Sequence, residues 1–221
     1  ILSKWIQEDM FTYEQLKNLL SLSIDDQHLF YKLGEINHDS VFTRSFSLLV
    51  IAVILYKNNE KEFLILSDLE NVKKRLFHYA VKENDIRGYV EEKGWAHSIA
   101  HLADCLDELA KNQNSNHIDL FMILKIINLR ILESENVHVC EEDERLVTAV
   151  CAILDRSILS EDEIENWIMS FKNIEKTGEY VKDFNMKINS KHFLRSLYFR
   201  LNQLESDNSI ISKALEDLNT Y

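Results

Sequence analysis

The chain contains no proline and only four glycines among its 221 residues. These two residue types form most tight turns and interrupt most helices, so a chain that nearly lacks them favours long helices over many short strands. Leucine, glutamate and lysine, which favour helices, are abundant. Two strand-like pieces, residues 63–66 and 137–139, are too short to build a sheet. The sequence therefore predicts an all-α fold.

The spacing of the predicted helices suggests how they are arranged. A chain of 221 residues can bury one substantial core, and we expect a single domain over residues 1–221. The first helices of successive pairs are expected near residues 40, 94, 141 and 189, which is close to the roughly 40 to 47 residues of HEAT-type repeats. This spacing predicts a HEAT-like stack of antiparallel helix pairs, an α-α superhelix. A closed helical bundle or toroid is the alternative.

Three helix starts carry a capping box, in which Ser or Thr is followed three residues later by Glu or Gln. These boxes are Thr12 with Gln15, Ser67 with Glu70, and Ser160 with Glu163. A further helix, expected from Asp39 or Ser40 to Tyr56, is apolar on nearly every side. This pattern is typical of a helix that is buried at the centre of a protein.

Acidic residues outnumber basic residues by 37 to 25, which gives a formal net charge of −12. An acidic surface repels phosphate backbones and anionic lipids, so the charge argues against a nucleic-acid or membrane partner. The longest apolar run, residues 48–56, is about half of the roughly 20 residues that a membrane-spanning helix needs. The three cysteines lack the spacing of a metal site, so we expect reduced thiols and a cytoplasmic protein.

The most distinctive stretch is a charged loop, residues 85–93, that leads into a helix expected to start at Gly94. On such a helix His97, His101 and Asp104 lie within one narrow stripe, because residues three and four apart face the same way. Two histidines and one carboxylate in this arrangement can hold one divalent cation. His97, His101 and Asp104 are therefore the candidate metal ligands.

The same stripe has two other interpretations. The first is a buried, hydrogen-bonded structural network, which is the interpretation we weight most heavily. The second is a polar helix face open to water. Ala96, Ala100 and Ala103 flank the stripe and would let a neighbouring helix approach closely, so the stripe is expected to border a groove. No other cofactor is predicted, since we find neither a glycine-rich phosphate loop nor a nucleophile elbow.

Two arginines are candidates for holding an anionic ligand. Arg44 lies one turn inside the apolar helix, where we expect a buried carboxylate to neutralise it. Arg87 lies in the charged loop, and we expect it to pair with Asp85 or Asp104. In both cases a structural ion pair is the leading interpretation, and a ligand contact comes second.

Three segments, residues 41–47, 85–104 and 193–201, resemble an uncharacterised bacterial family, the domain of unknown function 2785 (DUF2785). Residues 93–104 carry the most specific part of this resemblance, although Leu102 stands where we expect a small residue such as glycine. The resemblance implies a bacterial, cytosolic, all-helical protein and supplies no activity. A family signature rich in polar residues also implies that the signature residues come together in the folded protein. The residues expected to do so are Arg44, Arg87, Trp95, His97, His101 and Asp104.

The sequence leaves two classes of function open. The leading hypothesis is a binding or scaffold protein that presents a groove to a protein, a peptide or a small molecule. The alternative is a metal-assisted hydrolase. In that case His97, His101 and Asp104 hold a cation that activates water, and an arginine binds an anionic substrate. Both hypotheses use one set of candidate ligand-binding residues: Arg44, Asp85, Arg87, Trp95, His97, His101 and Asp104.

Overall fold

A computed structural model describes residues 1–204 and 207–219 and confirms the all-α prediction. Ten helices and one two-stranded antiparallel sheet make up the regular structure of these residues. The elements are α1 (Leu2–Gln7), α2 (Tyr13–Ser23), α3 (Ser40–Glu60), α4 (Leu66–Lys82), β1 (Tyr89–Val90), β2 (Gly94–Trp95), α5 (Ser98–Lys111), α6 (His117–Ile131), α7 (Glu142–Arg156), α8 (Glu161–Ser170), α9 (Tyr180–Gln203) and α10 (Ser209–Leu218). The elements divide between two compact units, Ile1–Ser115 and Asn116–Tyr221. The single domain and the HEAT-like stacking stay predictions.

The first unit is built around α3. This helix packs most extensively against α5 and also contacts α1 and α2, while α4 contacts α5. Leu48, Ile51, Ile54 and Leu55 are fully buried, which confirms that α3 is a central core helix. Their burial removes apolar side chains from water, the main favourable contribution to folding.

Helix α3 is also long enough and apolar enough to span a membrane, with a mean hydropathy of 1.5. However, 61% of its apolar window is buried inside the protein. A core helix of a soluble protein has the same properties, because it too must be apolar on most sides. The burial of most of this window matches the role of α3 as a core helix.

The second unit is organised around α9, which packs against α6, α7 and α10, while α8 packs against α10. Its core contains three aromatic rings in mutual contact, those of Trp167, Phe171 and Phe193. The indole Nε1 of Trp167 donates a hydrogen bond to the carbonyl oxygen of Leu124 at 2.9 Å, so its polar atom is satisfied inside the core.

Two of the three predicted capping boxes are confirmed. In the first, the backbone N–H of Gln15 donates to Thr12 Oγ1 at 3.2 Å and the N–H of Thr12 donates to Gln15 Oε1 at 2.8 Å. Ser160 and Glu163 make the same reciprocal pair. The box at Ser67 is wrong, because α4 starts at Leu66. There the Asp68 carboxylate accepts a hydrogen bond from the N–H of Ile65 at 3.2 Å and fixes an earlier start.

Candidate functional site

A short β-hairpin lies between α4 and α5, where the sequence predicts a loop and the first turn of a helix. Tyr89 pairs with Trp95 across this hairpin. At its base the N–H of Ala96 donates to the carbonyl of Gly88 at 2.7 Å, and the N–H of His97 donates to that of Arg87 at 3.1 Å. These hydrogen bonds hold residues 94–97 against the incoming chain, so α5 starts at Ser98 instead of the predicted Gly94.

The predicted placement of His97 on the helix is therefore wrong. His97 is the N-cap residue of α5 and has a left-handed backbone with φ 51°. It nevertheless reaches the next helical turn, since the His97 and His101 rings meet edge to face with centroids 5.6 Å apart. His101 Nδ1 lies 3.6 Å from Asp104 Oδ2. The structure thus brings the three predicted metal ligands into one neighbourhood by a different local geometry.

Several polar side chains of α5 are buried. His101 is only 7% exposed, and Asp107 and Glu108 are also buried. Burial raises the pKa of the Asp107 and Glu108 carboxyls above the usual range, although the nearby Lys111 acts in the opposite direction. The burial of His101 argues against a stripe that is fully open to water, whereas the Asp104 side chain is 29% exposed.

Arg44 is fully buried and forms the ion pair that the sequence predicts, here with the buried carboxylate of Glu83. Its Nε donates to Glu83 Oε2 at 2.6 Å and its Nη2 donates to Glu83 Oε1 at 2.8 Å. The other donors of the fork reach Ser40 Oγ and three backbone carbonyls, those of residues 31, 32 and 35. Burial opposes the charge on Arg44, but the hydrogen bonds to Glu83 raise its pKa overall.

Arg87 pairs with Asp85, which was one of its two predicted partners. Arg87 Nε donates to Asp85 Oδ1 at 2.7 Å and Nη2 donates to Oδ2 at 2.6 Å. The two arginine pairs are connected, because the N–H of Asp85 donates to Glu83 Oε1 at 2.9 Å. Bidentate hydrogen bonds between arginine and a carboxylate strongly restrict the relative orientation of the two side chains. Their arrangement holds the start of the hairpin in place, and a ligand contact by Arg44, Asp85 or Arg87 stays a prediction.

A continuous run of rings, which we call the aromatic strip, extends from the hairpin across α5 to α3. Trp95 stacks on His97 with centroids 4.3 Å apart and planes 5° apart, and Tyr89 meets Trp95 at 5.0 Å. At the other end His101 meets Phe46 at 6.5 Å. Tyr89, Trp95 and Phe46 remain between 51% and 57% exposed. The strip consists of Tyr89, Trp95, His97, His101, Phe46 and Phe42.

An open apolar recess of about 440 Å³ adjoins the aromatic strip between α2 and α3. Phe42 and Phe46 belong to both features, and Leu19, Leu22 and Val50 supply much of the remaining apolar lining. Leu22 is itself more than half exposed. The strip and the recess therefore form one exposed surface on the first unit, rich in aromatic and aliphatic side chains.

Sequence reasoning found Trp95, His97 and His101 but missed Tyr89, Phe42 and Phe46 as surface residues. Tyr89 and Trp95 lie at equal distances on either side of the Glu92 turn, which is the spacing of a hairpin with two facing aromatic residues. Phe42 and Phe46 lie four residues apart on α3, so they share one helix face. These two spacings are the sequence features that indicate neighbouring aromatic side chains.

The chain is thus an all-α protein with an exposed aromatic surface. The ion pairs of Arg44 and Arg87 hold the hairpin that carries part of this surface. The chain belongs to the family described as "Protein of unknown function (DUF2785)", which matches residues 29–199 of the 221-residue chain. This match confirms the resemblance seen in the sequence. Comparison with curated proteins and with solved structures found no match.

Metal binding at His97, His101 and Asp104 can be tested by melting experiments. Within residues 1–204 and 207–219, no group of three or more His, Cys, Asp or Glu side chains is arranged to hold a metal ion. We expect zinc and manganese to leave the melting temperature unchanged. We also expect His101→Ala to lower the free energy of unfolding by roughly 1–3 kcal/mol, because the buried ring loses its packing against His97 and Phe46.

The exposed His28, which pairs with Asp25, supplies the matched control. His28→Ala should change the free energy of unfolding by less than about 0.5 kcal/mol. A rise in melting temperature with added metal that His97→Ala and His101→Ala together abolish, and that His28→Ala leaves intact, would establish a metal site instead.

Proposed function

We propose that this protein is a binding protein that captures an amphipathic helical segment of a partner protein on the aromatic strip and the adjoining recess. The observation that carries this proposal is the exposed, continuous surface formed by Trp95, Phe46 and the recess beside α2. Apolar side chains spaced along one face of a helix would enter the recess and lie against the rings. Helix-in-groove recognition uses this arrangement.

The ring contacts within the aromatic strip support a binding role. Trp95 stacks on His97 and meets the Tyr89 ring edge to face. These contacts restrict its side chain, so little further freedom is lost when a ligand covers it. Large aromatic side chains that are rigid and partly exposed supply much of the energy of protein interfaces. Exposed apolar surface that is contiguous also marks interaction sites more often than scattered exposed residues do.

The charge around the aromatic strip favours a partner with basic residues. Glu91 and Glu92 lie exposed at the tip of the hairpin, and Asp104 lies half-buried beside His101. The chain as a whole carries a formal net charge of −12. Because complementary charge speeds association and suppresses wrong partners, the polar face of the bound segment is expected to carry lysine or arginine. The same charge disfavours nucleic acid as the partner.

The experiment uses a fluorescein-labelled helical peptide of about 14 residues, or four turns, with leucine on one face and lysine on the other. Fluorescence anisotropy measures its binding to the full chain. We expect Trp95→Ala and Phe46→Ala each to weaken binding by about tenfold or more, because each removes a central apolar contact.

Phe199→Ala is the matched control, since Phe199 is an aromatic residue on α9 that is 63% exposed and lies outside the proposed surface. It should leave the affinity unchanged. Equal binding by the Trp95→Ala, Phe46→Ala and Phe199→Ala variants would overturn the proposal, as would failure of the wild-type chain to bind the peptide. Preference for a leucine and glutamate peptide would overturn the proposed charge of the partner.

A further inference from the structure

A second open cleft in the first unit has a different chemical character. It measures about 430 Å³ and lies between the segment that follows α2 and one face of α4. Three basic side chains, those of Arg75, His78 and Lys82, line it together with Phe30 and Asn84. Sites that enclose small ligands are commonly of this size. The cleft shares no lining residue with the apolar recess.

The three basic residues project from the same side of α4. They are three and four residues apart, and such positions lie next to one another on a helix surface. Phe30 orients two of them, because Arg75 Cζ lies 4.7 Å from the centre of its ring and His78 meets the ring edge to face at 5.5 Å. Lys82 lies one turn further along at the end of α4. The basic groups are thus partly fixed before any ligand arrives.

A group of neighbouring basic side chains is notable in a chain whose formal net charge is −12. Asp26 is the acidic residue in the cleft lining, and its Oδ1 lies 3.2 Å from Arg75 Nη1. That carboxylate is 78% exposed, and exposed ion pairs contribute little stability. An incoming anion can therefore displace Asp26 from Arg75 at small cost.

We propose that this cleft binds the phosphate group of a small molecule. A phosphate carries close to two negative charges near neutral pH and has several strong acceptor oxygens, which match a cluster of basic donors better than one carboxylate does. Arg75 supplies a planar fork that binds two phosphate oxygens at once, and Lys82 supplies a flexible point charge. The amide of Asn84 can donate a further hydrogen bond from the rim.

Isothermal titration calorimetry with inorganic phosphate and with pyrophosphate tests this proposal in a buffer free of other polyvalent anions. We expect both probes to bind the wild-type chain. The double variant Arg75→Gln with Lys82→Gln should weaken binding by about tenfold or more, because it removes two charge-assisted contacts. The single variant Lys82→Gln should give a smaller loss in the same direction, and its exposed position makes it safe for folding.

Lys74→Gln is the matched control, because Lys74 is an exposed lysine on the same helix that does not line the cleft. It should leave phosphate affinity unchanged. Equal losses in the Lys74→Gln and Lys82→Gln variants would overturn the proposal in favour of general charge attraction, and so would equal binding of acetate at the same ionic strength. Binding of a phosphoserine peptide where phosphate and pyrophosphate fail would overturn the assignment to a small molecule.

Discussion

Replacement of Arg44 by methionine is expected to lower the free energy of unfolding by about 3–5 kcal/mol. The substitution keeps the apolar stem but removes the guanidinium that binds Glu83 through two hydrogen bonds of 2.6 and 2.8 Å. Glu83 is 1% exposed, so its charge would remain inside the protein without this cation. Losing one partner of a buried pair costs far more than the intact pair contributes, because ions are expensive to remove from water.

Denaturant unfolding followed by circular dichroism measures this loss. Arg200→Met provides the matched control, because Arg200 pairs with Glu144 at 3.0 Å where both side chains are more than a third exposed. An exposed pair of this kind typically contributes less than about 1 kcal/mol. Similar losses in the two variants would show that the burial of the Arg44–Glu83 pair does not determine its importance.

The substitution Ile51→Asp is expected to abolish folding of the first unit. Ile51 is fully buried in α3, the helix against which α1, α2 and α5 pack. An unpaired carboxylate at this position costs several kcal/mol in addition to the lost apolar contacts, whereas the total stability of a protein is about 5–15 kcal/mol. Loss of soluble protein on expression and loss of the cooperative melting transition would be the measured result.

Ile118→Asp controls for the introduction of a negative charge. Ile118 is exposed in the first turn of α6, where a carboxylate is favoured by the helix dipole. This variant should melt within a few degrees of the wild-type chain. Normal solubility and melting of the Ile51→Asp variant would contradict the assignment of α3 to the core.

Local patterns were sufficient to predict most of the helices and the burial of α3. Capping boxes and helical periodicity depend on residues within one or two turns, so they can be read along the chain. The charge of Arg44 also predicted a buried carboxylate. The identity of that carboxylate was beyond local reasoning, because Glu83 lies 39 positions away and reaches Arg44 only after α3 and α4 have packed.

The aromatic strip shows why the candidate site was only partly predictable. Phe46 lies on a helix that is apolar on nearly every side, so the pattern assigned it to the core, yet the packing of α2 and α5 leaves its ring half exposed. The spacing of His97 from His101 fits a helical turn and therefore predicts that His97 lies on the helix. The hydrogen bonds to Arg87 and Gly88 instead gave it a left-handed backbone, which favourable tertiary contacts can stabilise in a non-glycine residue.

The hydrogen bonds of Arg44 connect two stretches of backbone that otherwise belong to different connections. One is the segment 31–35, whose carbonyls accept from the guanidinium, and the other begins at Glu83 and continues into the hairpin. Because neither stretch can open without breaking bonds to the same side chain, we expect the two to open together in local unfolding. The position of the hairpin residues Tyr89 and Trp95 therefore depends on a buried cation that lies outside the aromatic strip.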